Sequence, residues 1–208
     1  MPIAASPPDA AVVTPVGRAS LGDVLLAWSA SPPEHRHDTG RRLMRELARE
    51  LGAAASVDIV SVCTRCGGAH GRPRVTAGDI AVSVTYAGDL VVAAAAPHDI
   101  ADEIGVDAEN EGADAASPLA DLAPLFAPAP PPTTVGWTQI EAALKADGRG
   151  IRVPVGDVVV GEAVPSALPG AVAVTVPGRA EPVHVATWHG IDGVAVSVAI
   201  VASSTAEP

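Results

Sequence analysis

Asp107 and Glu109 are the residues from which a chemical reading of this chain starts. They stand two apart in Ile104 to Glu109, a stretch that reads as a short strand, so their side chains share one face. Two carboxylates on one face repel unless a cation neutralises them. Mg²⁺, which takes a few carboxylates plus phosphate oxygens, suits that task. Two surface acids on an edge strand would give the same pattern, and Asp-x-Glu is common. Glu141 and Lys145 stand four apart in a second stretch, Trp137 to Ala146, which reads as a helix. Glu before Lys at this spacing is a favourable surface pair of about 0.3 kcal/mol. Lys145 is nevertheless the only lysine; every other Lys or Arg is Arg. A chain that uses Arg everywhere else and keeps one Lys points to a need for a compact charge there.

Cys63, Cys66 and His70 form a C-x-x-C-x-x-x-H run with three potential zinc ligands. A closed structural zinc site wants four, and no second Cys/His cluster follows, so ligand count argues against zinc and favours thiols packed in a loop. Arg72, just beyond, is suited to holding a phosphate.

The elements that must position these residues follow from pattern. Val24 to Trp28 reads as a strand. From Glu34 to Leu51, Leu43, Leu47 and Leu51 recur on one helical stripe, with Arg36, Arg41, Arg42, Arg45 and Arg49 on the other faces. Val57 to Val62 is a strand candidate. Ile80 to Thr85 and Leu90 to Ala95 read as a hairpin across Ala87-Gly88-Asp89. The six prolines between Ser117 and Thr134 predict a linker or irregular loop. Gly148 ends the second helix, and Val158–Val160, Ala171–Val176, Val183–Trp188 and Val194–Val201 read as strands. The expected class is α+β: two similar α+β halves, each a small, mostly antiparallel sheet with a packed helix. Residues 1–17 are expected to be frayed or loosely docked, 18–104 to form the N-terminal half, and 105–208 the C-terminal half.

Charge narrows the function classes. Net charge is −11. Thr76 to Leu144 holds eleven Asp and Glu and no Lys or Arg, whereas His35 to Arg74 holds eight Arg against four acids. An acidic chain poor in aromatics is a poor nucleic-acid binder. No apolar stretch approaches the length of a membrane span, and no secretory signal is expected from the first residues, which lack a basic run before an apolar one. A cytoplasmic protein with reduced thiols is expected, and a monomer. An arginine cluster beside a carboxylate cluster suits a phosphorylated small molecule with a divalent metal.

Four ordered motifs resemble the two-domain, pseudo-dimeric class of 4′-phosphopantetheinyl transferases, the surfactin-synthetase-activating type. RHDTGR (36–41) looks like the family's first helix. CTRCGGAHGRP (63–73) resembles its C-x-x-C-G-x-x-H-G-K/R-P loop, GVDAE (105–109) its G-[IV]-D-x-E strand, and WTQIEAALKADGRG (137–150) its W-x-x-x-E-A-x-x-K-x-x-G-x-G helix. The motifs cover about residues 20–155. The resemblance implies transfer of the phosphopantetheine arm of coenzyme A to a serine of an acyl or peptidyl carrier protein. It implies Mg²⁺ on Asp107, Glu109 and Glu141, with Glu141 or a water it holds accepting the serine proton. Lys145 would neutralise charge on the departing pyrophosphate. Arg36, Thr39, Arg41 and Arg72 would hold coenzyme A phosphates, and the pair Thr85-Tyr86 stands where the family carries Ser-His. Tyr86 in place of that His, and Ile140 in place of a basic residue, remove positive charge near an anionic ligand. They leave open a non-catalytic relative that binds coenzyme A or a carrier protein.

Overall fold

Leu90–Pro97 carries two valines and four alanines in a row, a continuous apolar run of the kind that suits a strand covered on both faces. In the computed structural model, which describes residues 16–112 and 116–203, Val91 to Ala96 are all fully buried. This strand, β6, lies inside a four-stranded sheet with β1 (Gly17–Leu21), β2 (Val24–Ala30) and β5 (Ile80–Ala87), in the order β1-β2-β6-β5. Its residues divide by parity. Val91, Ala93 and Ala95 pack under helix α1 (Arg36–Glu50) with Leu43, Met44 and Leu47. Val92, Ala94 and Ala96 face the other way, onto a second sheet.

That sheet has five strands, β7 (Ala101–Asn110), β8 (Val159–Ala163), β9 (Val172–Thr175), β10 (Val183–Ile191) and β11 (Val194–Ala202). Their order is β7-β11-β10-β9-β8, and every pairing is antiparallel. Helix α3 (Thr134–Asp147) covers its outer face through Ile140, Ala143 and Leu144. The layers are therefore helix, sheet, sheet, helix, an α+β arrangement. A central core of Leu26, Val92, Ile104, Val106, Val198 and Ile200 lies between the sheets. Trp28 and Trp188 meet there, ring centroids 5.1 Å apart.

Edge strands β5 and β7 come side by side where the two sheets meet. No ladder joins them; side chains of β5 reach across instead. The Ser83 hydroxyl accepts from the Val106 N–H at 3.0 Å.

Four elements differ from expectation. Gly17 opens β1, although residues 1–17 were expected to be frayed or loosely docked; residues 1–15 lie outside the described residues. A Cβ on Gly17 would stand 2.1 Å from the Trp28 ring, so the missing side chain is what lets β1 lie beside β2. Of the strand expected over Val57 to Val62, only Ile59–Val60 (β3) pairs, with Arg74–Val75 (β4). The proline-rich segment contains a helix, α2 (Ala116–Phe126), with Pro124 inside it. Proline there removes one helical hydrogen bond, but tertiary packing outweighs the local signal. Gly156 leaves room for the Leu125 carbonyl, which a Cβ would approach to 2.3 Å, and Phe126 packs edge-on against Trp137. Strand β7 runs from Ala101 to Asn110 and so spans the expected division at 104/105.

Candidate functional site

Strand β7 divides its side chains between two environments. Ile104, Val106 and Ala108 point into the central core. Gly105 lies on the opposite face, against α3: a Cβ there would stand 2.0 Å from the Ala142 carbonyl oxygen and 2.6 Å from the Ala146 nitrogen. Gly105 thus lets the helix backbone rest on the strand, and Asp107 and Glu109 follow on that same face.

Asp107 is buried. Its Oδ1 accepts from Lys145 Nζ at 2.6 Å and from the Thr85 hydroxyl at 3.0 Å. Lys145 Nζ also donates to Thr85 Oγ1 at 3.1 Å and to the Val106 carbonyl at 3.0 Å. The one lysine is therefore tied to Asp107 directly. Asp107 Oδ2 is buried and has no hydrogen-bond partner among the described residues. A buried acceptor left unmet costs free energy.

Glu141, four residues before Lys145 on α3, and Glu109 complete the cluster. Burial pushes the Glu141 carboxyl above the ordinary range, and the negative charges of Asp107 and Glu109 add to this while Lys145 opposes it. Burial likewise raises Glu109, reinforced by Asp107 and opposed by Lys145 and a Trp137 hydrogen bond. Three carboxylates against one ammonium leave two negative charges when all are ionised. The three carboxylates do not come within 4.8 Å of one another as a group, and Lys145 occupies one oxygen of Asp107. An orphaned, buried carboxylate oxygen beside two acids that resist ionisation nevertheless fits a divalent, oxygen-preferring cation.

A cleft of about 320 Å³ opens beside Lys145, lined by Arg72, Pro73, Ser83, Val84 and Gly148 among others. Arg72 pairs with Glu103 at 2.6 Å and donates to the Lys145 carbonyl at the C-terminal end of α3. Burial lowers its pKa, while Glu103 holds it up. The guanidinium fork has more N–H donors than these two partners use.

Of the remaining expected phosphate ligands, Thr85 joins the cluster, whereas Arg36, Thr39, Arg41 and Tyr86 lie elsewhere. Thr85 and Tyr86, neighbours in sequence, face opposite sides of β5: Thr85 meets Asp107, and Tyr86 packs toward α1. The Tyr86 hydroxyl lies 3.2 Å from His37 Nδ1, and Arg36 stands 5.3 Å over its ring. An imidazole therefore does stand beside Tyr86, contributed by α1. Thr39 bonds Ser31 at 2.9 Å, and Arg41 donates to the Ile59 carbonyl at 3.1 Å. Farther along α1, Arg42 pairs with Glu46 and Arg45 with Asp58. Ile140 is buried in the core under α3, so its position does not face the carboxylates.

Sequence reasoning missed Ser83, Glu103 and the link from Thr85 to Asp107. The available signal was weak: alternation along β5 puts Ser83 and Thr85 on one face of an otherwise apolar strand. Compared with known proteins, no family model matches the chain, and no curated protein is significantly similar to it.

Proposed function

We propose that this chain is a Mg²⁺-dependent 4′-phosphopantetheinyl transferase of the two-domain, pseudo-dimeric class, acting on a carrier-protein serine. The observation that carries the reading is the Asp107–Lys145 contact with its orphaned Oδ2, flanked by Glu109 and Glu141 and opening toward the Arg72 cleft. The four ordered motifs supply the reaction class. The two sheet-and-helix units are read as the halves of the pseudo-dimer, with the site at their seam.

Asp107, Glu109 and Glu141 would hold the cation. When bound, Mg²⁺ supplies positive charge that offsets the pyrophosphate of coenzyme A. Arg72 extends over the same cleft and suits a phosphate. Lys145 reaches the seam as a compact charge, placed to offset negative charge growing on the leaving bisphosphate. Glu141, or a water it holds, would accept the serine proton. The serine oxygen bonds to the phosphorus that bears the pantetheine arm. The bond from that phosphorus to the bridging oxygen breaks, and 3′,5′-adenosine bisphosphate leaves with the electron pair.

Calorimetric titration of coenzyme A, with and without Mg²⁺, tests the reading. Binding is expected only with the metal, weakened more than about tenfold by Glu109→Ala. Absence of binding under both conditions would refute it.

A further inference from the structure

The loop from Cys63 to Pro73 is folded about its two sulfurs. The Cys63 amide donates to the Gly68 carbonyl at 2.8 Å, the Gly67 amide returns to the Cys63 carbonyl at 2.8 Å, and the Gly71 amide closes on Ser61 at 3.0 Å. Gly71 is required where it stands, because a Cβ would lie 2.2 Å from the Val62 carbonyl oxygen. Gly67 takes a left-handed φ of 72°, which turns the chain directly after Cys66. Gly68 is confined too: a Cβ would come within 2.9 Å of the His70 ring and 3.3 Å of Cys66 Sγ.

Backbone N–H groups aim at both sulfurs. Cys66 Sγ accepts from the Gly68 amide at 3.4 Å. Cys63 Sγ accepts from the amides of Arg65 and Cys66 and from the Cys66 side chain. Such donors stabilise thiolates, the form that ligates metals. His70 Nε2 stands 2.9 Å from Cys66 Sγ, and the three ligand atoms all lie within 4.8 Å of one another.

We propose that Cys63, Cys66 and His70 bind a thiophilic transition-metal cation, Zn²⁺ foremost, with solvent as the fourth ligand. Zinc sits about 2.3 Å from sulfur and about 2.0 Å from imidazole nitrogen, so tetrahedral ligand atoms stand about 3.5–3.8 Å apart. The trio already matches that spread to within roughly an ångström; the Cys66–His70 pair would open by roughly half an ångström. Ligand count alone argued against zinc, but an open fourth position is normal where a site is not closed on itself. Among the described residues no fourth Cys, His, Asp or Glu joins the trio. Two thiolates and a neutral imidazole balance the charge of Zn²⁺. Bound there, the ion would pin the loop that delivers Arg72 to the cleft. The inference does not depend on the transferase reading.

The full chain, reduced and stripped with chelator, is titrated with Zn²⁺ against a colorimetric chelator. One equivalent per chain is expected, and Co²⁺ in its place should give a sulfur-to-cobalt charge-transfer band. Cys66→Ser and His70→Ala should each weaken zinc binding by more than about tenfold, whereas His189→Ala, at an exposed histidine outside the loop, should not. Failure of the wild-type chain to compete for zinc, undiminished binding in Cys66→Ser, or a Cys63–Cys66 disulfide that persists under reduction with zinc present would each overturn the proposal. The coenzyme A titration with Mg²⁺ reads the other site, so the two failures are distinguishable.

Discussion

Lys145 does two things in this molecule, and they separate by experiment. It compensates Asp107, a carboxylate buried in the seam, and it presents a charge toward the cleft. Removing it leaves Asp107 buried without its countercharge, the Thr85 hydroxyl remaining as donor to Oδ1, at a cost of about 1–3 kcal/mol. Lys145→Ala should therefore lower urea stability by that amount, and Asp107→Asn added to it should recover part of the loss. Full additivity of the two substitutions would show that the pair is not coupled. Under the proposed function Lys145→Ala should also lower turnover by roughly 100-fold while coenzyme A affinity changes less. Glu109 and Glu141 make a pH prediction. Their carboxyls are raised in the folded chain, so folded protein still holds protons that the unfolded chain has released. Their contribution to stability is full below the ordinary carboxylate pKa and falls as pH rises through the folded values. A divalent cation competes with those protons. The melting-temperature gain from Mg²⁺ should therefore grow as pH rises through this range, and a gain independent of pH would detach the metal from these acids.

At the scale of elements, the strand-on-helix contact at Gly105 decides whether the site exists. Gly105→Ala places a methyl group into the α3 backbone. It should destabilise the fold by about 1–3 kcal/mol and remove the Mg²⁺ response together with it; wild-type stability in urea would show that α3 can shift freely. The helix and the strand were both legible in the chain. Gly148, at φ 85°, made the end of α3 readable, whereas the Thr133 cap on the Gly136 amide falls in the stretch read as a linker. Strand β7 was readable from Ile104, Val106 and Ala108, which alternate with Gly105, Asp107 and Glu109. Helix α2 was not, because its proline content signals irregular backbone and its support is the distant turn at Gly156. Strand β1 was not, because GRASL has little apolar pattern and leans on Trp28.

Across the whole molecule, the two sheets share one core of small aliphatic side chains, and the candidate site lies at the edge where β5 meets β7. The chemical character of Asp107, Glu109, Glu141 and Lys145 could be read from types and spacing. Their mutual arrangement could not, because it depends on which sheet edges meet. Thr85 and Tyr86, grouped as one binding pair in the sequence, separate because β5 continues past Thr85 and neighbouring strand residues face opposite sides. The α1 arginines, which look like a free basic helix, include Arg42, paired with Glu46 one turn on, and Arg45, paired with Asp58 beyond the helix.

Strand β7 has a single ladder partner, β11, and that partner begins at Val194, 84 positions beyond Asn110, where β7 ends (194 − 110 = 84). During synthesis the strand that carries Asp107 and Glu109 leaves the ribosome long before the strand it must pair with. Until Val194–Ala202 arrives, α3 has no finished sheet to rest on, and one edge of β7 stays unpaired. The candidate site is therefore among the last parts of the molecule to assemble, and a chain cut at Ile191 would keep every proposed magnesium ligand yet lack the surface that holds them together.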